Sequence, residues 1–394
     1  MKLCAEQIRG TINAVPSKSA LHRRLILNRI AGNADVPTDA CGDVQTLTDC
    51  LNRLGSSVPL DCRDCGAALR FLLPVSLLYG GSRFDGSDAL KKRPILPLIN
   101  ALCAHGAAVS SPVLPLTLSG TLQPGTYALD GRISSQFFSG LMLTLPFLPG
   151  DSTLLWTTPL GSLGYVHMTE QMLKGHGVTL VRTENGYSIP GGQTPRALPL
   201  QVEGDWSSAA PILILGAIAG TVSVNGLCAD SLQPDRKVLD LLEQCGAQIE
   251  IADGTVTVRK DRLCGFKCAG DDAPDLVPVA AALACACEGD SVLYRLGRLR
   301  YKESDRFDAV CAMLDAVGAD YECERADTIV IHGSEAVRGG MINVPPDHRM
   351  VMAAAVLSAC STAGTTIRCA DAVEKSYPRF FDDFCRIGGQ IDAI

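Results

Sequence analysis

Glycines that close helical stretches recur along this chain at a near-constant interval, and that repeat limits the fold more than any other feature. One series of apolar stretches opens on small or polar residues and closes at Gly32, Gly80, Gly150, Gly220, Gly289 and Gly364. "WSSAAPILILGAIAG" and "DHRMVMAAAVLSACSTAG" are two of its members. A second series is amphipathic and closes at Gly55, Gly106, Gly177, Gly246, Gly318 and Gly388, before extended runs such as "AQIEIADGTVTVR". The spacings are 48, 70, 70, 69 and 75 in the first series and 51, 71, 69, 72 and 70 in the second. A glycine just past a helix, followed by a β-branched run, reads as a helix-to-strand unit. The chain therefore reads as six α/β units, most simply two domains of three, with the middle of the series near residues 201–203.

The first series is apolar nearly all round, so its helices are expected to be buried. With 47% hydrophobic but only 5% aromatic residues, the cores must be built from Leu, Val, Ile and Ala. Pro16, Pro211, Pro274 and Pro346 fall at or near the helix starts, where proline is tolerated. Ser207 and Ser208 read as N-caps. The 17 cysteines, among them Cys285, Cys287, Cys311 and Cys360, read as small apolar side chains in a reducing cytoplasm. Cys62 and Cys65 form a CxxC without a second pair at zinc-site spacing, so no metal site is expected.

A net charge of −7 argues against an extended nucleic-acid surface. The longest apolar run, "LVPVAAALACAC", is too short to cross a bilayer, and "MKLCAEQIRG" lacks the apolar core of a signal peptide. The expectation is a cytoplasmic protein with neither nucleic-acid nor membrane partner.

Cations crowd several helix starts, against the local dipole. "RYKESDR", residues 300–306, sets five charges just before an apolar helical pattern, in a chain that is only 20% charged. Glu303 and Arg306 stand three apart, as in an ordinary surface pair. Lys18, Arg23, Arg70 and Arg349 repeat the conflict near the starts of first-series helices. A bound anion resolves it, because amide N–H groups, dipole and cations would all point at it. The physical reading is a cleft between two three-unit domains that binds multiply anionic ligands. No GxxxxGK[ST] and no strand-anchored GxGxxG is present, so nucleotide-loop chemistry is not expected.

Nine stretches in order complete the picture: "PSKSALHR", "DCGAALRF", "KKRP", "SSQFFSGLML", "VEGDWSSAAPIL", "APD", "RYKESDR", "PPDHRMVMA" and "KSYP". Over essentially its whole length the chain resembles the 5-enolpyruvylshikimate-3-phosphate (EPSP) synthase family. The resemblance implies an α/β fold, a two-domain inside-out α/β barrel of six βαβαββ units, three per domain. It implies a first domain over 14–201, a second over 1–13 plus 202–394, and an active site in the interdomain cleft. The implied reaction moves the enolpyruvyl group of phosphoenolpyruvate to the 5-hydroxyl of shikimate 3-phosphate, releasing phosphate, with neither metal nor cofactor and with a monomeric enzyme.

Carried over by motif, Glu303 would protonate the methylene carbon of phosphoenolpyruvate and Asp275 would accept the hydroxyl proton. Lys18 would be a second proton-transfer candidate. As an acid, Glu303 would need a raised pKa. Lys18, Gly66, Gln136, Arg306, Arg349 and Lys375 would hold phosphoenolpyruvate. Lys18, Ser19, Arg23, Ser134, Ser135, Gln136, Ser162, Asp275 and Lys302 would hold shikimate 3-phosphate. Arg70 reads as a helix-surface arginine, and His348 as structural.

Four departures accompany the resemblance. Ala89 stands four residues before "RP", where the family usually has an Arg that helps bind phosphoenolpyruvate; Lys91 or Lys92 are the candidate substitutes. "VPSKS" replaces the commoner "PGSKS", Ala67 a Thr or Ser, and Arg298 an Asn. Two alternatives follow: a non-catalytic relative that binds shikimate 3-phosphate, supported only by Ala89, and an enolpyruvyl transferase acting on UDP-N-acetylglucosamine.

Overall fold

The computed structural model describes residues 1–392 apart from 39, 326, 335 and 344. It divides into two compact units, one formed by Lys18–Val202 and the other by Met1–Ser17 with Glu203–Ile394. Among the described residues no helix is long and apolar enough to cross a membrane.

The first-series stretches form six helices: α1 (Lys18–Ile30), α2 (Gly66–Ser76), α3 (Ser135–Met142), α4 (Trp206–Ala219), α5 (Val277–Cys285) and α6 (His348–Leu357). Every residue of α5 and α6 is buried, and in α4 every residue but Ala219. Helices apolar on all sides have no face to give to water, so the sheets lie outside them. In the unit carrying the C-terminus, α4, α5 and α6 pack on one another. Their starts are fixed by side chains: Asp205 accepts from the Ser208 amide and Asp347 from the Arg349 amide. Ser134 and Cys65 cap α3 and α2 in the same way. Ser207 and Ser208 are therefore not the caps that the sequence led us to expect. Asp205 is the cap, and Ser207 donates its hydroxyl to the Asp205 carboxylate. Pro211 is also not in a first turn but inside α4.

Five four-stranded sheets are present among the described residues, all of one design. An outer strand runs parallel to the second, and two antiparallel strands complete the sheet. In one of them, Ile8–Asn13 is parallel to Gly220–Asn225, which pairs antiparallel with Thr255–Arg259, itself antiparallel to Gln248–Ala252. Another places Lys2–Cys4 between Thr365–Ile367 and Gln390–Asp392. This is the product of a βαβαββ repeat: in four of these sheets a helix carries the chain across the parallel pair, and in four a short turn joins the last two antiparallel strands.

The repeat has one departure. Its first copy contributes α1 and the helix Gly42–Arg53, after which the chain reaches the strand Leu60–Asp61 directly. The glycine spacings of 48 and 51 in that copy, against 69–75 elsewhere, are short by about the length of one β-hairpin. Three sheets accordingly belong to the unit with the C-terminus and two to Lys18–Val202.

Candidate active site

The "RYKESDR" segment enters the helix Arg306–Val317, capped by Asp305, whose side chain accepts from the Asp308 amide. Arg306 is fully buried. A guanidinium removed from water needs its charge balanced and its N–H groups bonded, and three carboxylates supply this. Its Nε donates to Asp347 Oδ2 at 2.8 Å and its Nη2 to Asp347 Oδ1 at 3.2 Å. Nη1 donates to Asp275 Oδ1 at 2.8 Å, and Nη2 also to Glu303 Oε2 at 2.8 Å. The Glu303–Arg306 pair is thus real, but it forms one arm of a buried cluster rather than a solvated helix end.

Three further cations close on the same acids. Lys302 Nζ lies 3.1 Å from Asp275 Oδ1, Arg349 Nη2 3.4 Å from Asp275 Oδ2, and Lys375 Nζ 3.8 Å from Glu303 Oε1. The structure brings together all six predicted residues of this unit: Asp275, Lys302, Glu303, Arg306, Arg349 and Lys375. Burial alone would raise the Asp275 pKa, but Lys302, Arg306 and Arg349 outweigh it and hold the carboxyl well below the usual range. Burial pulls Lys302 down, with Asp275 opposing. Glu303 thus faces two cations, Arg306 and Lys375.

Two members of this cluster were not assigned from sequence. Asp347 read only as a helix-opening residue; it caps α6 while its carboxylate also grips Arg306 and accepts from Ser304 Oγ at 3.0 Å. The second is the Ser207 carbonyl. Pro211 has no N–H to give to the carbonyl four residues back, which is that of Ser207. Arg349 Nη1 takes this carbonyl at 2.7 Å, and Nη2 bonds the Ser207 hydroxyl. The irregularity inside α4 thereby becomes an anchor for a site arginine.

In the unit Lys18–Val202, Lys18 opens α1 and pairs with the buried Asp43 at 2.8 Å. His22, one turn further on, is 1% exposed. Burial pushes its pKa down to about 4, with Asp43 opposing and Lys18 and Arg23 reinforcing the shift. Arg23 is buried as well. It donates to Thr169 Oγ1 at 2.7 Å, to the Ser19 carbonyl at 2.7 Å, to the Tyr165 carbonyl at 3.0 Å and to Ser139 Oγ at 3.3 Å. Its guanidinium lies over the Phe71 ring. Arg23 thus ties α1 to neighbouring helices.

Arg70 is not on the surface: it is 4% exposed and donates to Gln136 Oε1 at 2.8 Å and to the Pro94 carbonyl at 3.0 Å. It aims the one side chain of α3 that is not buried. Ser134 and Ser135 flank that position, and both are buried. Ser162 precedes the helix Leu163–Gly175 in the left-handed region, at φ 56°, and is 2% exposed. A non-glycine residue held there is strained, as functional residues often are.

At Gly66 the Arg93 guanidinium occupies the space a side chain would take, with Nη1 2.5 Å from the place of a Cβ. Arg93 belongs to the quoted "KKRP" but was given no role. Ala89 lies exposed on the short helix Asp88–Lys91, and Lys91 is paired with Asp88 and Asp85. The cation at the start of α2 is therefore Arg93, the arginine of the "RP" itself, while Ala89 brings no charge to this place.

Comparison with known proteins gives the fold and the family. The structure superposes on EPSP synthase from Acinetobacter baumannii with a TM-score of 0.80 at 23% identity, covering 100% of this chain and 99% of that one. It also superposes on the enolpyruvyl transferase NikO from Streptomyces tendae with a TM-score of 0.75 at 15% identity, covering 99% and 97%. The fold is that of the enolpyruvyl transferases. A 3-phosphoshikimate 1-carboxyvinyltransferase of Clostridium kluyveri is 34% identical over 98% of this chain and 96% of its own length. One from Methanocorpusculum labreanum is 35% identical over 98% and 97%. The family model for EPSP synthase (3-phosphoshikimate 1-carboxyvinyltransferase) matches residues 55–384. The chain belongs to the EPSP synthase family and is a transferase of enolpyruvyl groups in the shikimate pathway.

Proposed function

We propose that the reaction proceeds by addition and elimination, with Glu303 as the proton donor and Asp275 as the proton acceptor. Glu303 gives its proton to the methylene carbon of phosphoenolpyruvate. The 5-hydroxyl oxygen of shikimate 3-phosphate bonds to the adjacent carbon while its proton passes to Asp275. The tetrahedral intermediate then loses a proton from the new methyl group, and its C–O bond to phosphate breaks. Lys18, paired with Asp43, is a second group able to move a proton.

The observation that supports these roles is the cluster of Asp275 and Glu303 with Lys302, Arg306, Arg349 and Lys375. Without ligand, the carboxylates balance the cations. When phosphate and carboxylate groups of the ligands take the cations, Asp275 loses the partners that hold its pKa down and becomes a better base. Arg306, Arg349 and Lys375, with Gly66, Gln136 and Lys18, hold phosphoenolpyruvate. Lys18, Ser19, Arg23, Ser134, Ser135, Gln136, Ser162, Asp275 and Lys302 hold shikimate 3-phosphate. Arg23 also fixes the Ser19 backbone through its carbonyl. The working form is a monomer in the cytoplasm.

The test is phosphate release by purified protein. Release should need both phosphoenolpyruvate and shikimate 3-phosphate, and should fall roughly 10²–10⁴-fold in Asp275→Asn and in Glu303→Gln. Release that survives both substitutions would remove these residues from the proton transfers.

A further inference from the structure

We propose that Cys311 and Cys323 form a reversible dithiol–disulfide site on the protein surface. Cys311 lies on the helix Arg306–Val317 and Cys323 on the strand Asp320–Glu324, which is the edge strand of its sheet. Their Sγ atoms stand 3.6 Å apart in the reduced protein, a van der Waals contact between sulfurs. Cys323 is exposed and Cys311 partly so. The strand is already held on the helix beside them, because Tyr321 Oη donates to Asp315 Oδ1 at 2.9 Å. Two other thiol pairs, Cys50 with Cys62 and Cys245 with Cys287, lie in the cores, closed to solvent. The pair on the helix and edge strand is the one that joins contact to access.

The chemistry needs a small disulfide such as oxidised glutathione as oxidant. Cys323 is the entry point, since burial and the neighbouring thiol push Cys311 up to about 12. The Cys323 thiolate attacks one sulfur of the small disulfide, the S–S bond breaks, and one small thiol leaves with the proton. The Cys311 sulfur, on losing its proton, then attacks Cys323 Sγ and expels the second small thiol. Two protein thiols are oxidised by two electrons, and one small disulfide is reduced to two thiols. The sulfurs already touch, so the bond forms without moving Arg306 at the start of the helix.

Trypsin cuts after Arg306 and Arg325 and nowhere between, so both cysteines fall in one peptide. The full chain is equilibrated with oxidised glutathione, its free thiols are alkylated, and it is digested without reduction. The expected result is a 307–325 peptide that is lighter by two hydrogens, carries no alkyl group and reverts with dithiothreitol. Exposed Cys228, Cys264, Cys369 and Cys385 should carry glutathione in the same sample. Phosphate release should be unchanged, and the oxidised protein should melt several degrees higher, with no shift in Cys323→Ser or Cys311→Ser. A doubly alkylated peptide, glutathione persisting on Cys323 of the wild-type chain, or loss of turnover on closure would overturn the proposal.

Discussion

Replacing Pro211 by Ala should make the protein more stable and weaken its hold on phosphoenolpyruvate. Pro211 sits inside α4, where proline costs a helix about 3 kcal/mol relative to Ala. Part of that cost is already offset, because the Ser207 carbonyl it leaves open accepts from Arg349 at 2.7 Å. The gain from Ala is reduced further by the freer unfolded chain, leaving about 1–2 kcal/mol, or several degrees in melting temperature. The new N–H of residue 211 would then share the carbonyl with Arg349. A buried charge-assisted hydrogen bond contributes about 1.5–3 kcal/mol, and sharing one acceptor forfeits about half of it. The KM for phosphoenolpyruvate should therefore rise roughly 3–10-fold, with kcat changed less than about twofold. Thermal melts and phosphate-release kinetics on the same sample read both effects. An unchanged KM for phosphoenolpyruvate in a correctly folded, more stable variant would refute the idea that the proline positions Arg349.

Three other substitutions probe separate parts of the site. Asp347→Asn keeps the cap on the Arg349 amide but removes the charge facing Arg306. It should destabilise by roughly 2–3 kcal/mol and lower kcat/KM about 10–100-fold, and Asp347→Ala should cost about 1 kcal/mol more. Gly66→Ala would place a Cβ 2.5 Å from Arg93 Nη1 and displace that guanidinium. The KM for phosphoenolpyruvate should rise about tenfold or more while that for shikimate 3-phosphate stays put, as two-substrate kinetics would show. His22, buried and shifted from 6.5 to about 4, refuses a proton that the unfolded chain accepts. Its penalty is absent above pH 6.5, grows as pH falls to about 4, and there reaches roughly 3 kcal/mol. Denaturant melts of His22→Asn should lose much of that slope, with His176, also lowered to about 4, leaving a remainder.

The helices at the centre of each unit were legible because burial on all sides writes a continuous apolar run ending in glycine. The missing hairpin of the first repeat was present too, as two short intervals, but an interval has no meaning until one knows what fills the others. Charges out of place at helix starts marked Lys18, Lys302, Arg306 and Arg349. Asp347 escaped because an aspartate before a helix is fully explained as a cap, and its second partner, Arg306, is 41 residues away. Arg70 was misjudged: it was read as surface, whereas it is an interior fastener, and helix periodicity alone does not separate the two cases. Arg93 was passed over because attention went to Ala89 four residues earlier, and only the packing shows its guanidinium against Gly66.

The pairing of Lys2–Cys4 with Gln390–Asp392 has a consequence for how the molecule comes into being. Residues 18–202 are contiguous and can assemble as soon as they leave the ribosome. The other unit cannot close one of its sheets until Lys2–Cys4 meets Thr365–Ile367 and Gln390–Asp392. Ile8–Asn13 waits only for Gly220–Asn225, but Lys2–Cys4 stays unpaired until residues 365–367 are made, and closing so long a loop is slow. Only at that last step are the sheets around α4, α5 and α6 complete.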